Sequence, residues 1–289
     1  MASASTAGTG GFLIIDHSRA KLFWKCPYAY YERYVLNIEP NWERTAIDYG
    51  SRMHELLAEH YGAPAGGACL ENAELEDEAQ AMLAAYRAHY PAEDFEVVEV
   101  EQTHQVALPC NCDDRHCEHQ VDPENFPLHT YVYKQDLLVR QGGRLRVLDH
   151  KTESRSSRSN LPEAWASRPQ PSLYQWAMRQ RNHDAEIGAV IINILTRQSP
   201  KGREAPTFRR EEPPRTREQE DAAVRWLVHT ADAIEACERS GYWPDNRNNC
   251  VEGNFRCDYF ALHNDHGPNA DLDLVREIHY RPAKEYLDL

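Results

Sequence analysis

At 289 residues the chain is long enough for one large domain with insertions, and its 41% hydrophobic content can furnish a core. A formal net charge of −14 counts against DNA binding through bulk positive charge, while leaving room for a metal site built from acids and for local basic patches. No apolar run approaches the ~20 residues of a membrane helix; the longest, Gly188 to Leu195, reads as a buried strand.

Residues 1–11 lack a basic region and an apolar stretch, so they read as a disordered leader and not as a signal peptide. The expected compartment is the cytoplasm, where the eight cysteines are metal ligands or free thiols before they are disulfides. Residues 12–36 predict an aromatic-rich helix, capped by Asp16 or Ser18, with Leu22, Phe23, Cys26, Tyr30 and Tyr34 at helical spacing. Gly50-x3-His54 enters a second amphipathic helix whose apolar face carries Met53, Leu56, Leu57 and Tyr61. An acidic helix follows over Asn72 to Tyr90, and Phe95 to Leu108 alternates as a strand, on which Glu101 reads as a solvated residue more than as a metal ligand.

Between residues 109 and 127 lies a Cys/His-rich insertion. Cys110, Cys112, Cys117 and His119 offer four soft ligands of the kind a tetrahedral Zn²⁺ takes, with His116 as a rival and a reduced cysteine-rich loop as the alternative. Tyr131 to Val139 and Arg144 to Thr152 are two β-forming runs joined by a Gly142-Gly143 turn signal. This hairpin carries Asp136 on one strand, with Asp149 and Lys151 two residues apart on one face of the other. Two carboxylates and an ammonium converging at a strand end suit a hard divalent cation, Mg²⁺ or Mn²⁺, and a phosphodiester; a surface Asp–Lys pair is the bland alternative.

Glu153 to Pro169 predicts a Ser/Arg-rich loop. Arg155, Arg158 and Arg168 follow the D-x-K strand directly, where a substrate strand would pass. Gln170 and Tyr174, four apart, share one face of the next helix. Ile187 to Thr196 reads as a buried strand, Ser199 to Pro214 as a loop or short hairpin, and Thr216 to Arg239 as a long helix opened by a Thr216-x-x-Gln219 capping box. A second pair stands at Arg179 and Arg181, and a third group, Lys201, Arg203, Arg209, Arg210, Arg215 and Arg217, is read either as a local basic cluster or as solvated charge interleaved with Glu204, Glu211 and Glu212. Cys250 and Cys257, then His263, precede a polar tail, residues 266–289, expected to be extended.

Gly-x3-His, then Asp, a hairpin, Asp-x-Lys-Thr and Gln-x3-Tyr, in that order, resemble the PD-(D/E)XK nucleases, and within them the RecB-like and Cas4-like exonuclease branch, over roughly residues 15–265. The resemblance implies an α/β fold: a restriction-endonuclease-like core with a mixed central sheet flanked by helices, an N-terminal helical section and a C-terminal cysteine-containing segment. One nuclease domain is expected over residues 12–265. The implied metal ligands are His54, Asp136, Asp149 and the main-chain carbonyl of His150. Lys151 would orient water, and Gln170 and Tyr174 would fix the scissile strand.

Cys26-Pro27 followed by tyrosines looks like the opening segment of Cas4-like nucleases, in which a lone N-terminal cysteine joins three C-terminal ones around a [4Fe–4S] cluster. Here His263 stands where the last cysteine would fall. Cys26, Cys250, Cys257 and His263 are therefore expected to hold such a cluster or a zinc, unless the site has decayed. The implied activity is exonucleolytic cleavage of DNA ends or single strands, with a helicase, recombinase or CRISPR-adaptation protein as a partner. A structure-specific endonuclease of the same fold, or a non-catalytic metal-stapled nucleic-acid-binding module, is the competing expectation.

Overall fold

The computed structural model describes residues 13–42, 45–64, 69–110, 129–154, 162–198, 204–252, 255–264 and 271–283. Arg155, Arg158, Lys201, Arg203 and the insertion from Asn111 to Pro127, with Cys112, His116, Cys117 and His119, lie outside them. In chain order the elements that matter are β1 (Ile14–Ile15), α1 (His17–Lys25), α2 (Pro27–Tyr30), β2 (Ile38–Pro40), α3 (Thr45–His60), α4 (Ala73–His89), β3 (Glu96–Ala107), β4 (Thr130–Gln141) and β5 (Arg144–Glu153). They continue with α5 (Pro162–Ser167), α6 (Gln170–Arg181), β6 (Ile191–Thr196), β7 (Thr207–Glu211), α7 (Arg217–Ser240), β8 (Val251–Glu252), β9 (Phe255–Arg256), α8 (Phe260–Asn264), α9 (Leu272–His279) and β10 (Tyr280–Pro282). Among the described residues no helix is long and apolar enough to cross a membrane.

The fold is mixed α/β. The main sheet runs β1-β4-β5-β6-β7, with β3 also paired to β4. β4 and β5 are antiparallel, β5 and β6 parallel, β6 and β7 antiparallel. The hairpin turn is made by Gly142 and Gly143, both at positive φ (56° and 80°), where a side chain would be strained.

The chain divides into two compact units, one of residues 44–106 and 133–224, the other of residues 1–43, 107–132 and 225–289. In the first, Tyr49, Met53, Leu56 and Leu57 of α3 pack with Ala79, Met82, Leu83 and Tyr86 of α4 and Leu195 of β6. Leu137, Val139, Leu148 and Ile191 form a second cluster within the sheet. The capping box forms as expected: Thr216 Oγ1 accepts from the Gln219 N–H at 3.3 Å, and Gln219 Oε1 accepts from the Thr216 N–H at 3.0 Å.

The second unit departs from the expected single helix over 12–36. Asp16 does cap α1, accepting the Arg19 N–H at 2.8 Å, but the helix stops at Cys26. The residue before a proline is pushed out of the helical region, and Cys26 sits extended (φ −165°, ψ 108°), so Pro27 opens a new turn instead of continuing the old one. The tail is likewise not extended throughout. Asp271 caps α9, Val275 is buried from it, and β10 pairs antiparallel with β2. One further difference is local: α5 interrupts the expected loop over 153–169. In the 199–214 segment, expected as a loop or short hairpin, β7 pairs antiparallel with β6.

Candidate active site

β4 and β5 stay laddered only as far as Leu137 and Leu148. Beyond that pair the strands part, and the freed backbone groups take side-chain partners. The His150 N–H donates to Asp136 Oδ2 at 2.6 Å, and the Lys134 carbonyl lies 3.1 Å from the Tyr174 hydroxyl of α6. The opened strand ends thus hold Asp136, Asp149 and Lys151 together.

Lys151 Nζ lies 2.5 Å from Asp149 Oδ2, the same-face arrangement expected of a D-x-K strand. Asp149 Oδ1 is 3.2 Å from the Tyr174 hydroxyl, and that hydroxyl accepts from Gln170 Nε2 at 3.2 Å. Gln170, Tyr174, Asp149 and Lys151 therefore form one continuous polar chain. On the other side of Asp136, His54 Nδ1 approaches its Oδ1 to 3.1 Å. Gly50 explains how a helix brings the histidine so close. A Cβ at that position would lie 3.2 Å from Thr152 Oγ1, so the missing side chain lets α3 press onto β5 one turn before His54.

Glu101 completes the group, and its placement overturns its reading as a solvated strand residue. Ligand atoms of His54, Glu101 and Asp136 all lie within 4.8 Å of one another, with Glu101 Oε2 also 2.5 Å from Lys134 Nζ. Glu101 has φ 52°, a conformation uncommon for a residue with a side chain. The kink breaks the alternation of β3, so parity with Val97 and Glu99 does not predict where Glu101 faces. Sequence carried no signal of it beyond an acid on a strand next to the hairpin.

The charges are interdependent. Burial by itself would raise the Asp136 carboxyl, but neighbouring His54, His150 and Lys151 hold it well below the usual carboxylate range. Asp149 is raised, by burial first and by Asp136 as well, against the pull of Lys151. Burial works against the charged forms of Lys151 and His54, yet the adjacent aspartates raise both. Glu101 is raised by burial and by Asp136. Two imidazoles, three carboxylates and an ammonium so close are what a divalent cation would reorganise, since a histidine ligand is neutral and a carboxylate ligand ionised. Burial lowers His150 to about 3, Asn193 Nδ2 lies 2.8 Å from its Nδ1, and its ring stacks on Tyr61 at 5.9 Å.

In the other unit Cys26, Cys250 and Cys257 gather. The Cys257 N–H donates to the Cys250 carbonyl at 2.8 Å, the Asn246 N–H to Cys26 Sγ at 3.4 Å, and burial and then the two neighbouring sulfurs raise the Cys257 thiol. The His263 ring packs on Tyr28, 4.1 Å between centroids. Of the Cys110/Cys112/Cys117/His119 set, only Cys110 is among the described residues.

Most arginines singled out from sequence are tied to protein groups. Arg210 pairs with Glu93, Arg179 and Arg217 with Glu220, and Arg209 with Glu211; Arg181 donates to the Tyr133 hydroxyl, and Arg215 to backbone carbonyls.

The family described as the PD-(D/E)XK nuclease superfamily matches residues 16–261. Among solved structures, the chain is similar to a protein of Eubacterium rectale that carries the provisional designation of exonuclease. The two are 14% identical, with a TM-score of 0.53 over 93% of this chain and 92% of that one. A second structure, of the protein SSO0001, aligns at 12% identity and a TM-score of 0.35, over 78% of this chain and 79% of that one. No curated protein matches the sequence.

Proposed function

We propose that this chain, which belongs to the PD-(D/E)XK nuclease superfamily, is a divalent-metal-dependent deoxyribonuclease acting from DNA ends. The observation that carries this reading is the convergence of His54, Glu101 and Asp136 donor atoms within 4.8 Å, next to the Asp149–Lys151 pair. Mixed carboxylate and imidazole donors suit Mg²⁺ or Mn²⁺, with Asp149 and the His150 carbonyl as further ligands. When bound, the cation would supply Lewis acidity toward the phosphate and lower the pKa of an attacking water.

The protein's own groups do the rest. The His150 N–H fixes the Asp136 carboxylate, and Tyr174, itself held by Gln170, fixes Asp149. Lys151 is positioned to orient a water through hydrogen bonding and to meet negative charge growing on the phosphate oxygens. Asp149 keeps that ammonium charged despite its burial.

End-labelled linear single-stranded DNA and covalently closed circles, incubated with Mn²⁺, test the reading. Loss of the linear substrate alone, abolished by EDTA, is the expected result, and the label's fate gives polarity. Cutting of circles would reassign the protein as an endonuclease. Intact DNA of both kinds, with protein that still binds it, would leave a binding module.

The cysteines support a second cofactor. Cys26, Cys250 and Cys257 gather in one place, and three cysteines with His263 are a donor set that a [4Fe–4S] cluster or a zinc could take. Anaerobically purified protein is expected to show broad visible absorbance that Cys250→Ser removes; colourless protein with no bound iron would rule the cluster out.

A further inference from the structure

Arg168 differs from the arginines tied to glutamates and carbonyls above. Among the described residues its guanidinium meets no carboxylate and no carbonyl; its one contact is the face of Trp165, 3.9 Å from the ring centroid. Trp165 is fully buried, so the guanidinium closes over an immobile ring. Such stacking leaves all five N–H donors in the guanidinium plane unspent.

The backbone beneath is equally fixed. Arg215 donates to the carbonyls of Trp165, Ala166 (2.8 Å) and Arg168 (3.0 Å). Pro169 follows at once and restricts the residue before it. Two residues further on, Gln170 begins the hydrogen-bonded chain through Tyr174 to Asp149.

We propose that Arg168 binds a backbone phosphodiester of the substrate strand, as a preset guanidinium fork two residues before the chain that runs from Gln170 through Tyr174 to Asp149. The assignment rests on the nuclease reading of the same site and names how that site takes hold of DNA. An arginine fork matches two phosphate oxygens where a lysine offers one point charge. Holding it by a ring and not by an acid leaves its charge available, whereas Arg179, Arg209, Arg210 and Arg217 are already spent on glutamates.

The test is fluorescence anisotropy of a labelled single-stranded oligonucleotide with the full-length protein in EDTA, over a range of salt. It compares the wild type with Arg168→Gln and Arg168→Lys, alongside steady-state cleavage in Mn²⁺. Arg168→Gln is expected to weaken binding about tenfold at low salt and to flatten the salt slope by about 0.7, the share of one phosphate on a single strand. Arg168→Lys should keep the slope and lose part of the affinity. In cleavage, KM should rise for Arg168→Gln while kcat stays within a few-fold.

Wild-type affinity and slope in Arg168→Gln would overturn the assignment. So would a loss of affinity with an unchanged slope, which would mark a structural role for the stack. Wild-type protein that binds DNA with this slope dependence but cleaves nothing would sink the nuclease reading and leave Arg168 as a phosphate contact. A wild type that does not bind DNA would sink both.

Discussion

Lys151→Ala is expected to reduce DNA cleavage by about 10²- to 10³-fold under single-turnover conditions, with binding of the oligonucleotide in Ca²⁺ little changed. Removing one preorganised group that stabilises developing charge has an effect of about this size. The loss here has two parts. The ammonium 2.5 Å from Asp149 Oδ2 is gone, and with it the main influence lowering the pKa of that buried carboxyl, which burial and Asp136 already raise. Asp149 then takes up a proton more readily and becomes a poorer ligand for a cation. The mutant should consequently require more Mn²⁺ for half-maximal rate, and its residual activity should recover as pH rises. Cleavage within threefold of wild type would remove Lys151 from the mechanism. A loss of binding as large as the loss of cleavage would make it a substrate contact only.

Arg210→Ala is expected to destabilise the protein by about 3 kcal/mol, the range for breaking one partner out of a buried ion pair. Arg210 Nη1 and Nη2 each donate to Glu93 at 2.7 Å, Nη2 reaches the Tyr86 hydroxyl at 3.0 Å, and the guanidinium lies 3.9 Å over the Tyr90 ring. Truncation leaves the Glu93 carboxylate largely buried, with only the Tyr61 hydroxyl among its described partners. For a chain of this size the change corresponds to a fall in Tm of about 5 °C. Arg144→Ala is the contrast: Arg144 and Glu186 are both more than half exposed, and a surface pair contributes at most about 1 kcal/mol. Equal melting shifts for the two variants would show that the Arg210 network carries no special weight. Because Tyr61 stacks on His150, Arg210→Ala should also lower activity, though far less than Lys151→Ala does.

The charged residues show where reading from sequence reaches its limit. Period-2 alternation puts Asp149 and Lys151 together, and helical spacing puts Gln170 with Tyr174; those distances are local properties of a strand and a helix. By contrast, Arg210 and Glu93 are 117 residues apart and Arg215 caps a segment 47 to 50 residues away, so the chain's path had to be known before either partner could be named. A run of arginines looks alike in sequence whether each is spent on a glutamate or left available for a phosphate.

The amino-acid sequence by itself determined the Gly-Gly hairpin, the D-x-K pair, the Gly50–His54 spacing and the capping box at Thr216, because each follows from bond geometry within a few residues. Only the tertiary structure decided that β4 and β5 part at Leu137 and Leu148 and that Glu101 turns into the site through a left-handed backbone. It also decided that Arg168 is held by Trp165. The break at Cys26 was written in the Cys-Pro step and outweighed by a persuasive helical period. The other three depend on packing between distant segments, which fixes the burial and partner of each charge and is strong enough to hold a strained φ that local preference would avoid.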